Sequence, residues 1–226
     1  MRFASLWDWL VDSLAFYRQH IISFAAMVLP FAIPFSALQS GYVYDVSHPS
    51  VLQYWIFICL GLLCQPIYQG ASILYIRAQL NQQPWSIAQC FQASLSIWPR
   101  LFVVVSISFS LVMLGLNFFV VPGLIFASRL LFADLNCVLY KRSPLQSLND
   151  SWRQTDVIKW PLLAGVIIVS GISILPVWAI DHWLVAQHAN NFWFFANKVL
   201  GQLLDVFFLV FAYRAYSGIS DVTEEP

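Results

Sequence analysis

Charge is scarce in this chain. Only 10% of its 226 residues are Asp, Glu, Lys or Arg, against roughly 25% in an average soluble domain. Eleven basic and eleven acidic residues cancel, so no basic field exists to gather nucleic acid. Cysteine is sparse as well. Cys59, Cys64, Cys90 and Cys137 lack metal-type spacing, and none falls on the outer side of the topology derived below, which argues against a disulfide framework. The signatures of common catalysts are missing: no Gly-rich phosphate loop, no Gly-x-Ser-x-Gly elbow and no carboxylates paired at catalytic spacing. His48, His182 and His188 are scattered over loops and do not read as a metal site. No metal, no cofactor, no catalytic residue and no enzymatic activity is therefore expected.

Apolar residues make up 60% of the chain, including 19 Phe and 10 Trp, and mean hydropathy is +0.71. A soluble globule this short has too much surface to hide them. A bilayer removes the difficulty by acting as an apolar solvent. The expected fold is an all-α bundle of about six transmembrane helices, with residues 1–226 forming a single integral membrane domain.

A crossing helix needs about 20 mostly apolar residues. Such runs occur at 21–38, 51–76, 160–180 and 192–213. The first reads as a retained span, not a cleaved leader. Leu101–Tyr140 is also apolar, with only Arg129 and Asp134 charged. One helix of that length would reach about 60 Å, twice the hydrocarbon thickness, so it must fold back. Pro122-Gly123 is the breaker near its middle, which predicts spans at 101–119 and 121–140 joined by a tight turn.

With both termini in the cytoplasm, inner segments hold Arg2, Arg18, Arg77, Arg100, Lys141, Arg142, Arg153, Lys159 and Arg214, and outer segments hold only Lys198. That asymmetry satisfies the positive-inside rule and predicts a multi-pass inner-membrane protein with both termini cytoplasmic. Residues 3–18 are amphipathic, with Phe3, Leu6, Trp7, Leu10, Leu14 and Tyr17 on one face. They predict a helix in the interface plane or against the inner side of the bundle.

The two large inner loops look like copies of one unit. One runs from Gln83-Pro84-Trp85 to Trp98-Pro99, the other from Ser143-Pro144-Leu145 to Trp160-Pro161. Each opens with a proline suited to a first helical turn and closes on Trp-Pro. They predict interfacial helices at about 84–95 and 144–154, related as a parallel repeat. The bland alternative is that any interfacial helix uses Trp and an early proline.

Val120-Val121-Pro122-Gly123-Leu124-Ile125, followed by Leu145-Gln146-Ser147-Leu148-Asn149-Asp150-Ser151-Trp152, resembles the signature of the uncharacterised YciC-like bacterial inner-membrane proteins. It is similar also to the membrane domain attached to some glycerophosphodiester phosphodiesterases. The resemblance is firm over about residues 110–165. It implies a multi-spanning inner-membrane protein without an established activity.

Arg129 stands near the middle of its span, where a charge is costly and wants a partner. Asp134 is about 140° around the same helix, so Asp205 of the last span is the expected partner. Arg129, Asp205 and Asp134 are thus the candidate intramembrane polar site. Gln65, Gln69, Ser106, Ser108, Ser110 and Asn117 either line a cavity or bond between helices. The favoured function is non-enzymatic association with membrane lipids or a membrane-protein partner. The alternative is a small transporter or lipid-handling protein using a polar site around Arg129. Oligomeric state is not legible.

Overall fold

A computed structural model of the protein describes residues 6–42, 51–83 and 85–223. Residues 3–5 of the N-terminal amphipathic helix, His48 and Pro84 lie outside them. Eight helices follow in order: α1 Leu6–Tyr42, α2 Val51–Leu80, α3 Ile87–Phe118, α4 Val120–Arg129, α5 Ala133–Tyr140, α6 Pro144–Gln154, α7 Lys159–Ala186 and α8 Asn191–Thr223. No strand occurs among the described residues. Six segments are long and apolar enough to cross a membrane: Leu6–Ser40, Trp55–Leu80, Ile87–Phe118, Val120–Tyr140, Lys159–Ala186 and Asn191–Gly218. The fold is an all-α membrane bundle, and α4 with α5 supplies its fourth span.

The amphipathic N-terminal segment is continuous with the first span, and α1 bends at His20, whose backbone leaves the helical region. The inward face of this segment is Trp9, Ser13, Phe16 and Tyr17, while Trp7 and Leu14 are exposed. The expected apolar stripe is therefore rotated. Trp9, Phe16 and Tyr17 meet α8: the Tyr17 hydroxyl donates to the Leu203 carbonyl (3.0 Å), and Arg214 lies 5.1 Å from the Phe16 ring. Packing on α8 outweighs the sequence stripe because an aromatic ring gains most where partner atoms enclose it.

The turn between the third and fourth spans falls on a single extended residue, Phe119. Pro122 and Gly123 do not form that turn, as their sequence suggested; both lie inside α4. Pro122 sits in the first helical turn, where a missing N–H costs nothing. Gly123 is a close-approach residue: a Cβ on Gly115 would come within 2.8 Å of the Gly123 backbone. Two glycines let α3 and α4 meet almost backbone to backbone, the usual way membrane helices gain contact.

The loops before α3 and α7 differ in outcome. Ser86 caps α3, with Gln89 reaching back to the Ser86 N–H at 2.9 Å, and the helix then runs unbroken through Pro99 to Phe118. No separate interfacial helix ending near residue 95 exists. In the second loop the cap is Ser143, with Pro144 at the first helical position, and α6 ends at Gln154 before α7 begins at Lys159.

Candidate functional site

Helix α4 stops at Arg129, and Leu130–Phe132 form a turn before α5. In an unbroken helix the Phe132 N–H would bond the Ser128 carbonyl, and the Arg129 carbonyl would accept from Ala133. Ala133 donates instead to Leu130 at 3.0 Å. The two groups set free are both taken by Ser151 of α6, with a longer contact from Thr155 to the carbonyl (3.4 Å). Ser151 Oγ accepts from the Phe132 N–H (3.1 Å) and donates to the Arg129 carbonyl (2.7 Å). Thr155, one turn on, donates to the Ser151 carbonyl at 2.8 Å. Ser147, Ser151 and Thr155, at i, i+4 and i+8, are all buried. A stripe of small hydroxyl residues lets α6 lie close along α5, since bulky side chains there would hold the backbones apart.

This docking carries the end of α6 back to Arg129. The guanidinium bonds Asp156 Oδ1 at 2.8 Å and lies 5.3 Å from the Trp152 ring centroid. Its side chain is 13% exposed, that of Asp156 64%. The hydrogen bond from Arg129, then its charge and that of Lys159 at 3.9 Å, hold the Asp156 carboxyl below the ordinary carboxylate range. Nearby, Asn136 of α5 donates to Gln154 (2.9 Å) and accepts from the Tyr216 hydroxyl of α8 (3.2 Å). Arg142 pairs with Asp150 at the start of the same unit.

The expected Arg129–Asp205 pair is therefore not formed. Its reasoning measured depth along an uninterrupted helix and left Asp156 in a remote loop. The break at Leu130–Phe132 and the return of α6 overturn both assumptions. Asp134 goes elsewhere, taking a hydrogen bond from Gln69 of α2 at 2.6 Å. The other carboxylate oxygen of Asp134 and the Gln69 amide oxygen are buried and unbonded. Among the described residues Asp205 makes no ion pair or hydrogen bond, and it is exposed on α8. The three predicted site residues thus occupy three separate places.

Of the polar candidates, only Gln69 bonds across helices. Ser110 donates to Ser106 and Asn117 to Met113 within α3. Ser106 and Ser108 hydroxyls are buried without partners, and Gln65 is exposed. At the opposite end of the bundle, Lys198 of α8 pairs with Asp181 of α7 at 2.5 Å, and Asn197 donates to the same carboxylate at 2.8 Å. Among the described residues no three His, Cys, Asp or Glu side chains gather to hold a metal. Sequence reading missed Ser151, Thr155 and Asp156. The first two had a visible signal, hydroxyl residues at i, i+4 beside Trp152. Asp156 had one too, a stretch between Trp152 and Trp160 with no counterpart in the first loop.

Six apolar crossings, one of them broken and repaired by the loop that follows, define a multi-pass all-α membrane protein. The chain belongs to the uncharacterised protein family UPF0259, whose profile matches residues 46–217. This is the YciC family that the Val-Val-Pro-Gly stretch resembles. No solved structure matches the chain.

Proposed function

We propose that the protein resides in the bacterial inner membrane with both termini and its basic end in the cytoplasm. It acts there without chemistry of its own, by associating with anionic lipid of the inner leaflet and with membrane partners. The observation that supports this reading is a collar at the α5–α7 junction. Leu145 (74%), Val157 (79%) and Trp160 (71%) are exposed apolar side chains in a segment that also carries four exposed basic residues, Lys141, Arg142, Arg153 and Lys159. Among the described residues Lys141 and Arg153 make no ion pair. Aromatic and apolar groups set among exposed cations suit the headgroup layer, where each basic residue contributes about 1 kcal/mol toward anionic lipid.

Two measurements test it. In a background without the native cysteines, Gln187→Cys should react with an external membrane-impermeant maleimide and Leu145→Cys should not; the reverse sinks the orientation. In nanodiscs, exchanging phosphatidylcholine for phosphatidylglycerol should raise the thermal midpoint. The double variant Arg153→Gln, Lys159→Gln should lose most of that rise. An equal rise in both proteins sinks lipid association through the collar.

A further inference from the structure

Three apolar runs are bounded by three basic residues. Arg77 closes the run of α2, Arg100 precedes that of α3, and Lys141 follows that of α5. The fold brings these cations, far apart in sequence, to one place. Lys141 takes a left-handed conformation (φ 52°) that stops α5, so the carbonyls of its last turn lose their intrahelical donors. Arg77 Nη1 donates to the Leu139 carbonyl at 3.4 Å, and Arg100 Nη1 to the Lys141 carbonyl at 3.2 Å. The two anchor residues are two positions apart, within about 8 Å of one another. Guanidinium groups from two helices are thereby held in one neighbourhood with Lys141. All three side chains are exposed, and among the described residues none forms an ion pair. Arg142, next along, is already matched by Asp150 and lies 5.4 Å from the Tyr140 ring centroid.

Capping the end of α5 uses one N–H of each arginine, and a guanidinium has five. Like charges gathered at the edge of an apolar layer repel unless an anion sits among them. We propose that Arg77, Arg100 and Lys141 form a binding site for a lipid whose headgroup carries two phosphate groups. The planar arginine fork matches phosphate oxygens in pairs, so each arginine grips an oxyanion while one N–H keeps its α5 carbonyl. A single phosphodiester leaves two of the three cations unmatched, and a headgroup with two phosphates leaves one. The acyl chains follow the apolar runs that these residues bound, which a soluble diphosphate has no use for. The site rests on the reading of the basic end as facing anionic lipid. Arg77 and Arg100 lie outside the collar, so loss of one site leaves the other.

The test follows the thermal midpoint of the full-length protein in phosphatidylcholine nanodiscs. Cardiolipin, with two phosphodiesters, and phosphatidylglycerol, with one, are added at equal phosphate, and cardiolipin should give the larger rise. Arg77→Gln with Arg100→Gln should need about tenfold or more cardiolipin for that excess and keep the phosphatidylglycerol rise. Arg153→Gln with Lys159→Gln should do the reverse. Arg77→Lys with Arg100→Lys keeps the charges and should retain most of the excess. Should the glutamine variant not fold, the unaltered chain still decides. Native mass spectrometry in neutral detergent should show one cardiolipin bound, and retained against excess phosphatidylglycerol. Equal rises with the two lipids, an excess untouched in the glutamine variant because its arginines only cap α5, or no retained cardiolipin would overturn the proposal. So would soluble pyrophosphate that displaces cardiolipin and stabilises the protein as well by itself, since the ligand would then be a free diphosphate.

Discussion

The loop after α2 and the loop after α5 start alike and finish differently. Each opens with Ser-x-x-Gln: Ser86 to Gln89, and Ser143 to Gln146. Eight residues past the cap each has a serine that donates to a backbone carbonyl of the preceding span, Ser94 to Ile67 and Ser151 to Arg129, both at 2.7 Å. From there they part. Trp-Pro follows the cap serine by twelve residues in the first unit and seventeen in the second. With the shorter spacing the capped helix flows straight into the next span. With five more residues it ends, turns through Thr155–Ile158, and restarts as α7. The extra residues include Asp156, the partner of Arg129. A short insertion thus separates a loop helix from a span and gives it a docking role.

The largest expected effect comes from the serines. Ser151→Ala strands the buried Phe132 N–H at the α4–α5 break and leaves the Arg129 carbonyl only a long contact from Thr155 (3.4 Å), which costs about 1–3 kcal/mol, whereas Ser94→Ala removes one bond to a carbonyl within a continuous helix, about 0.5–1.5 kcal/mol. Reversible unfolding in mixed micelles should rank them so; equal losses would mean the two contacts are equivalent and the break is not held by Ser151. Next is Gly70→Ala in the first unit. Its Cβ would meet Ser94 Oγ at 2.4 Å, so the hydroxyl must shift and its bond to Ile67 weakens. A loss of about 1 kcal/mol is expected, and Ser94→Ala in the same chain should relieve part of it. A double-mutant cycle reads the coupling.

The smallest effect is that of Asp156→Asn, since Asp156 is largely exposed. The folded carboxyl titrates below its unfolded value, so the pair stabilises the protein above about pH 3.9 and the contribution fades as pH falls through the lower folded value. Stability curves of the two proteins should differ slightly at neutral pH, converge at acid pH, and draw together in high salt. A gap that widens on acidification would contradict the pairing.

Hydropathy made the spans legible, and the length of the run at 101–140 required a fold-back within it; the predicted bounds, 101–119 and 121–140, fall beside the observed break at Phe119. Arg129 was legible as a charge requiring a partner. The partner was not, because nothing local in Leu130-Leu131-Phe132 announces a break: three apolar residues with no glycine or proline among them. The helix opens there because a hydroxyl from a later segment takes its hydrogen bonds, which is a tertiary cause. Pro122-Gly123 misled for the opposite reason. It carries strong turn chemistry, yet a proline in a first helical turn and a glycine at a crossing satisfy the same residues.

The serine at the break also sets an order of events. Residues 120–140 leave the ribosome before Ser151 does, and they meet the membrane before the group that completes their backbone can reach them. A bilayer does not tolerate unpaired N–H and C=O groups. The fourth span must therefore enter as a continuous helix, or with water at Leu130–Phe132, and take its final broken form only once α6 has emerged and has folded back. The native form of this span is a product of assembly after insertion, and residues 144–155 act as its template.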